Sequence, residues 1–194
     1  MANFGETALN FVQVCIYAFL HARRAYPDEM FEQRLVYGIV TFVSRDAALT
    51  SYVDDSLKLA LAWLMDGKLR YISARLVDSA TNELVEKMDF EFIPGNENET
   101  LNADQFRSCL VRLAQTRVAA PVLSTVPQAS PPTKVLKFVL LFLVDHTMSG
   151  PLAQDWILAD DVAMSHQEGN HQIYPLITTD GPLNISVRIE GLRT

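Results

Sequence analysis

A stretch near the start of this chain has no polar side, and that constrains the fold more than anything else in it. Between Phe4 and Arg24, apolar residues fall at positions 4, 8, 11, 15, 18 and 22, and Val12, Val14, Ile16, Phe19 and Leu20 fill the other faces. Helical spacing with apolar side chains almost all round predicts a central helix that other elements must surround. Pro27 ends it, because the residue before a proline, here Tyr26, is pushed out of helical dihedrals. A chain of 194 residues can bury such a helix in one domain without covalent staples.

The patterning that follows supplies the surroundings. Val36 to Val43 reads as a strand. From Asp46 to Met65 the apolar positions 49, 53, 57, 60, 61 and 64 return to a helical period that Gly67 stops, and this second helix should cover one face of a sheet. Leu69 to Val77 and Leu84 to Phe92 are strand-like runs joined by Asp78-Ser79-Ala80-Thr81-Asn82, which reads as a hairpin turn. Asn102 caps a third helix to about Val118. The prolines at 127, 131 and 132 make the next stretch a loop. Val135 to Asp145 is apolar enough to be a central strand buried on both faces, and Leu183 to Ile189 alternates as a strand. Three helices with hairpin-type strands, in place of alternating strand-helix-strand units, predict an α+β domain.

Composition excludes several function classes. The formal charge is −7, and from Glu83 to Asp104 seven acids (Glu83, Glu86, Asp89, Glu91, Glu97, Glu99 and Asp104) face only Lys87. Nucleic-acid affinity comes largely from Lys and Arg neutralising phosphates, so no direct nucleic-acid binding is expected. The longest apolar run, Phe138 to Val144, is far short of the roughly 18 residues that span a bilayer, so no membrane partner is expected. The start of the chain lacks a basic region before an apolar one, which argues against a signal peptide. Cys15 and Cys109 sit on helices and read as buried free thiols of a reducing compartment.

No P-loop, dinucleotide-binding glycine motif, HExxH, CxxC or nucleophile elbow occurs, so neither an enzyme nor a cofactor is expected. His166, Glu168 and His171 come nearest to a metal site, but they read better as a solvated loop, and no metal is expected. Asp54-Asp55 points in two directions on a helix and reads as a solvated face.

The segments, taken in order, resemble the HORMA domain family, and within it the accessory subunits of translesion DNA polymerase zeta. The resemblance is carried by the apolar helix running into AYPDEMFEQRLVYGI, with Phe31, Arg34 and Tyr37 after the Tyr-Pro corner. It continues through LTSYVDDSL, the hairpin RYISARLVDSATNELVEKMDFEF, WILADDVAM and IYPLITTD. Residues 100–135 contribute little to it. The Tyr-Pro corner and the hairpin are shared by HORMA proteins generally, whereas WILAD followed by a Pro-Leu pair points to the polymerase subunits.

The resemblance implies one HORMA domain over 1–194, three helices on a mainly antiparallel sheet, and a C-terminal safety belt over 146–194. It implies a non-catalytic adaptor of the nucleus, with the cytoplasm also open to it. The adaptor clamps a Pro-containing motif of the catalytic subunit of polymerase zeta and links it to other DNA-repair factors. A spindle-checkpoint or meiotic HORMA adaptor that grips a closure motif is the alternative, and a peptide sensor of a bacterial defence system is a second.

Tyr52, Trp156 and Leu158 fall on the family's peptide-binding positions, and large aromatics are common interface anchors. Trp156 also reads as a core residue, and Trp63 more readily so. Ile173, Ser186 and Arg188 fall on the surface that recruits a translesion scaffold polymerase; Ile173 is a conservative match, but Ser186 and Arg188 replace an amide and an aromatic. A homodimer through the third helix would use one of Arg107, Arg112 and Arg117. Only Met1-Ala2-Asn3 precede Phe4, where relatives that interconvert between open and closed forms carry a longer arm. The resemblance therefore implies the belt and leaves open whether the two forms interconvert.

Overall fold

The computed structural model describes residues 2–95, 102–119, 135–145, 171–180 and 183–192. Its elements run α1 (Ala2–Ala22), β1 (Phe31–Val36), β2 (Ile39–Ser44), α2 (Ala47–Met65), β3 (Leu69–Asp78), β4 (Leu84–Pro94), α3 (Ala103–Ala119), β5 (Leu136–Val144), β6 (His171–Thr178) and β7 (Leu183–Leu192). Three helices and mainly antiparallel strands make the expected α+β domain.

Helix α1 is the centre of the molecule, as its patterning requires. Ala8, Phe11, Val12, Cys15, Ile16, Phe19 and Leu20 have no exposed surface. It packs against α2, α3 and β2, and Phe11 stacks on Phe106 of α3 with ring centroids 4.1 Å apart. The helix stops before the proline does its work. Arg24 takes a left-handed φ of 51°, and the amide of Ala25 donates to the carbonyl of Leu20, a C-terminal closure that a non-glycine residue adopts only at some cost.

One expected strand proves to be two. Tyr37 and Gly38 both have positive φ, 50° and 78°, which is the two-residue hairpin turn suited to twisted strands. β1 and β2 therefore pair antiparallel from Phe31–Ser44 to Val36–Ile39 as a separate ribbon. The polar run Glu32-Gln33-Arg34 hid the first strand.

The five-stranded sheet has the order β5-β3-β4-β7-β6, with every pair antiparallel. Residues paired across strands share a face, so the register defines an inner and an outer side. Ile72, Ala74 and Leu76 of β3, Met88, Phe90 and Phe92 of β4, Ile185, Val187 and Ile189 of β7, and Phe138 and Leu140 of β5 form one continuous buried layer beneath the helices. Helix α2 covers the β3 and β5 end, where Trp63, packed against the core as expected, meets Phe142 at 5.9 Å between ring centroids. Helix α3 lies over β6 at the other end.

The expectation of a central β5 is wrong. The strand ends the sheet, and among the described residues nothing pairs beyond it. Its inner residues Phe138 and Leu140 are buried, but Leu143 on the outer face is 42% exposed. An apolar run reads the same whether a second strand lies beside it or is still to come.

Candidate functional site

A sheet with two ends offers two edges for strand addition, and local chemistry distinguishes them. At the β6 edge, Pro175 has no N–H to donate. The pairing with β7 is irregular between Pro175 and Ile177. The carbonyl of Leu176 accepts from the Arg112 guanidinium of α3 at 2.8 Å. Just beyond the strand, the Gln105 side chain accepts from the amide of Asp180 at 3.3 Å. Proline, a bulge and a covering charged side chain are the usual means of closing an edge.

β5 contains no proline, and the irregularity in its pairing with β3 falls at its far end, where Leu69 and Tyr71 face Val144 and Leu143. Its ends are pinned, by Ser79 donating to the carbonyl of Val135 and by the amide of Asp145 donating to the carbonyl of Lys68, with Arg70 gripping the Asp145 carboxylate at 2.7 Å. Between them lies a proline-free apolar strand. Tyr52 of α2 reaches it from outside, its hydroxyl accepting from the amide of Leu140 at 3.1 Å. A strand amide lies in the plane of its sheet, so one bound to a helix side chain points away from β3, toward the open edge. Tyr52 is 44% exposed, and its ring stands perpendicular to Phe138 at 5.8 Å. Of the expected peptide-binding residues, Tyr52 lies against β5, the strand at this end of the sheet among the described residues. Trp156 and Leu158 lie outside the described residues, as does the 146–170 part of the expected belt.

The C-terminal hairpin of β6 and β7 sits on the far side of the sheet, paired with β4 from Glu86–Gly191 to Pro94–Leu183. Ile173, Ser186 and Arg188 share the outer face there, through the pairs Ile173–Glu190, Thr178–Ser186 and Pro175–Arg188. Ile173 is 57% exposed. Arg188 is held within the chain, with its guanidinium 5.4 Å from the centre of the Tyr71 ring and 3.5 Å from Asp89. Of the three candidate dimer arginines, Arg107 donates to the carbonyl of Tyr37 at 2.8 Å and pairs with Asp104, and Arg112 closes the β6 edge. The side chain of Arg117 is outside the described residues.

Two ionic clusters escaped the sequence reading. Arg23, at the end of α1, grips Glu86 of β4 through bonds of 2.6 and 2.8 Å. On the outer face, Lys87 lies 3.3 Å from Asp89 and 3.0 Å from Glu190, and Ser73 donates to Asp89 at 2.6 Å. Part of the acid-rich stretch is therefore neutralised internally and is not a solvated patch. The signal was present in the sequence, since β4 and β7 both alternate charged with apolar residues. Partner identity, however, needed the register. Among the described residues no group of three or more potential ligands converges on a metal site, and no helix is long and apolar enough to cross a membrane.

A central helix, a β-ribbon beside it, and a five-stranded antiparallel sheet with the C-terminal hairpin docked on the edge away from β5 are the architecture of a HORMA domain. Solved structures with this fold include a chain of a mitotic checkpoint complex, with a TM-score of 0.78 at 16% identity over 98% of this chain and 99% of that one. Another is HTP-2 of C. elegans bound to an HTP-3 closure motif, with a TM-score of 0.74 at 12% identity over 97% and 85%. No family model matches.

Sequence comparison agrees with the fold, since part of the chain is similar to MAD2-like HORMA proteins. It is 30% identical over 86 residues to the mitotic spindle assembly checkpoint protein MAD2A of Dictyostelium discoideum, covering 44% of this chain and 42% of that protein. It is 26% identical over 80 residues to the DNA polymerase zeta processivity subunit of Schizosaccharomyces pombe, covering 41% and 36%. The match thus spans less than half the length of either curated relative.

Proposed function

We propose that this chain is a non-catalytic adaptor that captures an extended closure-motif segment of a partner protein as an added strand on β5. The observation that carries the reading is the asymmetry of the sheet. One edge is closed by Pro175 and Arg112, and the other is apolar, free of proline and guarded by a single tyrosine hydroxyl. Main-chain hydrogen bonds to β5 supply affinity, and side chains that alternate above and below the strand supply specificity. The C-terminal region 146–194 serves as the safety belt for the captured strand, and Trp156 and Leu158 join Tyr52 in gripping it. Because the belt must open before the ligand leaves, affinity resides mainly in a slow off-rate.

Two partner classes compete. The checkpoint class is favoured by the MAD2A relative and by the fold match to a mitotic checkpoint complex. The polymerase class, with the catalytic subunit of polymerase zeta as partner and a scaffold polymerase on the face of Ile173, Ser186 and Arg188, is supported by the WILAD segment and the fission-yeast relative. Both place the protein in the nucleus. We rank the checkpoint class first. Calorimetry of the purified chain against closure-motif peptides from the checkpoint proteins and from the polymerase zeta catalytic subunit of its own organism decides between them. Slowly reversible binding of one set identifies the class, and binding of neither by folded protein refutes the adaptor reading.

A further inference from the structure

The Tyr52 hydroxyl occupies the place that a partner strand would need. In an added strand, a carbonyl of the partner accepts from each outward amide of β5, and at Leu140 that amide is already bound to Tyr52. The two acceptors cannot both hold one N–H in good geometry. The tyrosine can leave, since the residue is 44% exposed and its ring meets Phe138 edge-on at 5.8 Å, while its backbone stays fixed in α2, with its carbonyl accepting from Ser56 at 2.7 Å.

We propose that Tyr52 is a removable cap on the strand-accepting edge. It satisfies the Leu140 amide while no partner is bound, and it surrenders that amide to the partner's carbonyl on docking. This rests on the adaptor reading above and adds to it the way the empty edge is protected. A bare edge amide beside the exposed Leu143 is a template for adventitious pairing with another chain. A hydroxyl cap blocks that pairing with one hydrogen bond, whose net contribution is small enough for a true ligand to replace.

The cap makes a prediction of unusual sign. Tyr52→Phe keeps the ring and its contact with Phe138 but removes the acceptor, so the free protein loses a bond that the complex never had. Affinity should therefore rise, by about three- to tenfold for a bond of ordinary net strength. The probe is the tightest-binding member of a displayed library of random unstructured peptides, selected on the wild-type full-length chain and measured by calorimetry. Amide exchange at Leu140 is followed in the free proteins and should be faster in Tyr52→Phe than in wild type.

Unchanged or weakened binding by Tyr52→Phe, with wild-type binding intact, overturns the cap and leaves the adaptor reading standing. A wild-type protein that binds no peptide refutes the adaptor reading and the cap with it. Should Tyr52→Phe fail to fold, the wild type alone decides by the ring-carbon resonance next to the Tyr52 hydroxyl. That resonance shifts on peptide binding if the hydroxyl is released, and stays in place if the cap is wrong.

Discussion

The buried pair Arg23–Glu86 joins the end of the central helix to the middle of the sheet, and removing either partner should be among the costliest single changes in the protein. The two side chains are 9% and 16% exposed, and they meet in a bidentate geometry of 2.6 and 2.8 Å. If Glu86 becomes leucine, the Arg23 guanidinium keeps a 3.4 Å contact with Thr116 and the face of Phe19 at 5.5 Å. Its Nη1 already lacks a hydrogen-bond partner among the described residues. A buried charge stranded this way costs about 3–5 kcal/mol. That is a large part of the stability of an ordinary domain.

Converted at roughly 2–4 °C per kcal/mol for a chain of this size, Glu86→Leu should lower Tm by roughly 6–20 °C. Arg23→Met should fall in the same range, since it strands the carboxylate. The double variant removes both charges and replaces them with apolar volume, so it should be more stable than either single variant. The assay is a double-mutant cycle by urea unfolding, in which the coupling should reach about 2 kcal/mol. Additive single costs, or a Glu86→Leu variant within about 1 kcal/mol of wild type, would refute the argument that the charges are buried together.

Two further outcomes follow from the outer face and the core. Lys87→Met takes the ammonium from between the Asp89 and Glu190 carboxylates, and should cost about 3–5 kcal/mol; since Glu190 lies on β7, backbone amides of β7 should exchange faster than those of β3, and uniform acceleration would show that this cluster does not hold the hairpin. Cys15 and Cys109 are fully buried, and burial together with the neighbouring Cys109 thiol pushes the Cys15 thiol well above its ordinary pKa, so a thiol reagent should label both only at the rate of unfolding, whereas rapid labelling of native protein would contradict the packing of α1 on α3.

Much of the fold could be read in the sequence, and what was missed has one physical origin. Periodicity is a local property, so the all-round apolar α1, the amphipathic α2 and the β3–β4 hairpin were legible from their own residues. Turn chemistry is local too, but Tyr37-Gly38 went unread because a tyrosine rarely takes a positive φ. Tyr52 was found through family resemblance, since its place at the edge of β5 depends on Leu140, a residue far along the chain.

Strand order depends on pairings between distant segments, and no residue of β5 records whether a neighbour lies on one side or both. Leu136 to Val144 therefore looked central, although the strand ends the sheet among the described residues. The same limit applies to charge. The sequence shows an acidic excess from Glu83 to Asp104, but only the register of β4 against β7, and the position of α1 above them, assigns Glu86 to Arg23 and Lys87 to Glu190. What the sequence alone determined, then, is the three helices, most of the strands and which of their faces are apolar, because those depend on neighbours a few residues away. Which edge stays open, and which arginine closes the other, was decided by the tertiary structure, because hydrogen-bond partners in a sheet are set by contacts between segments remote in the chain.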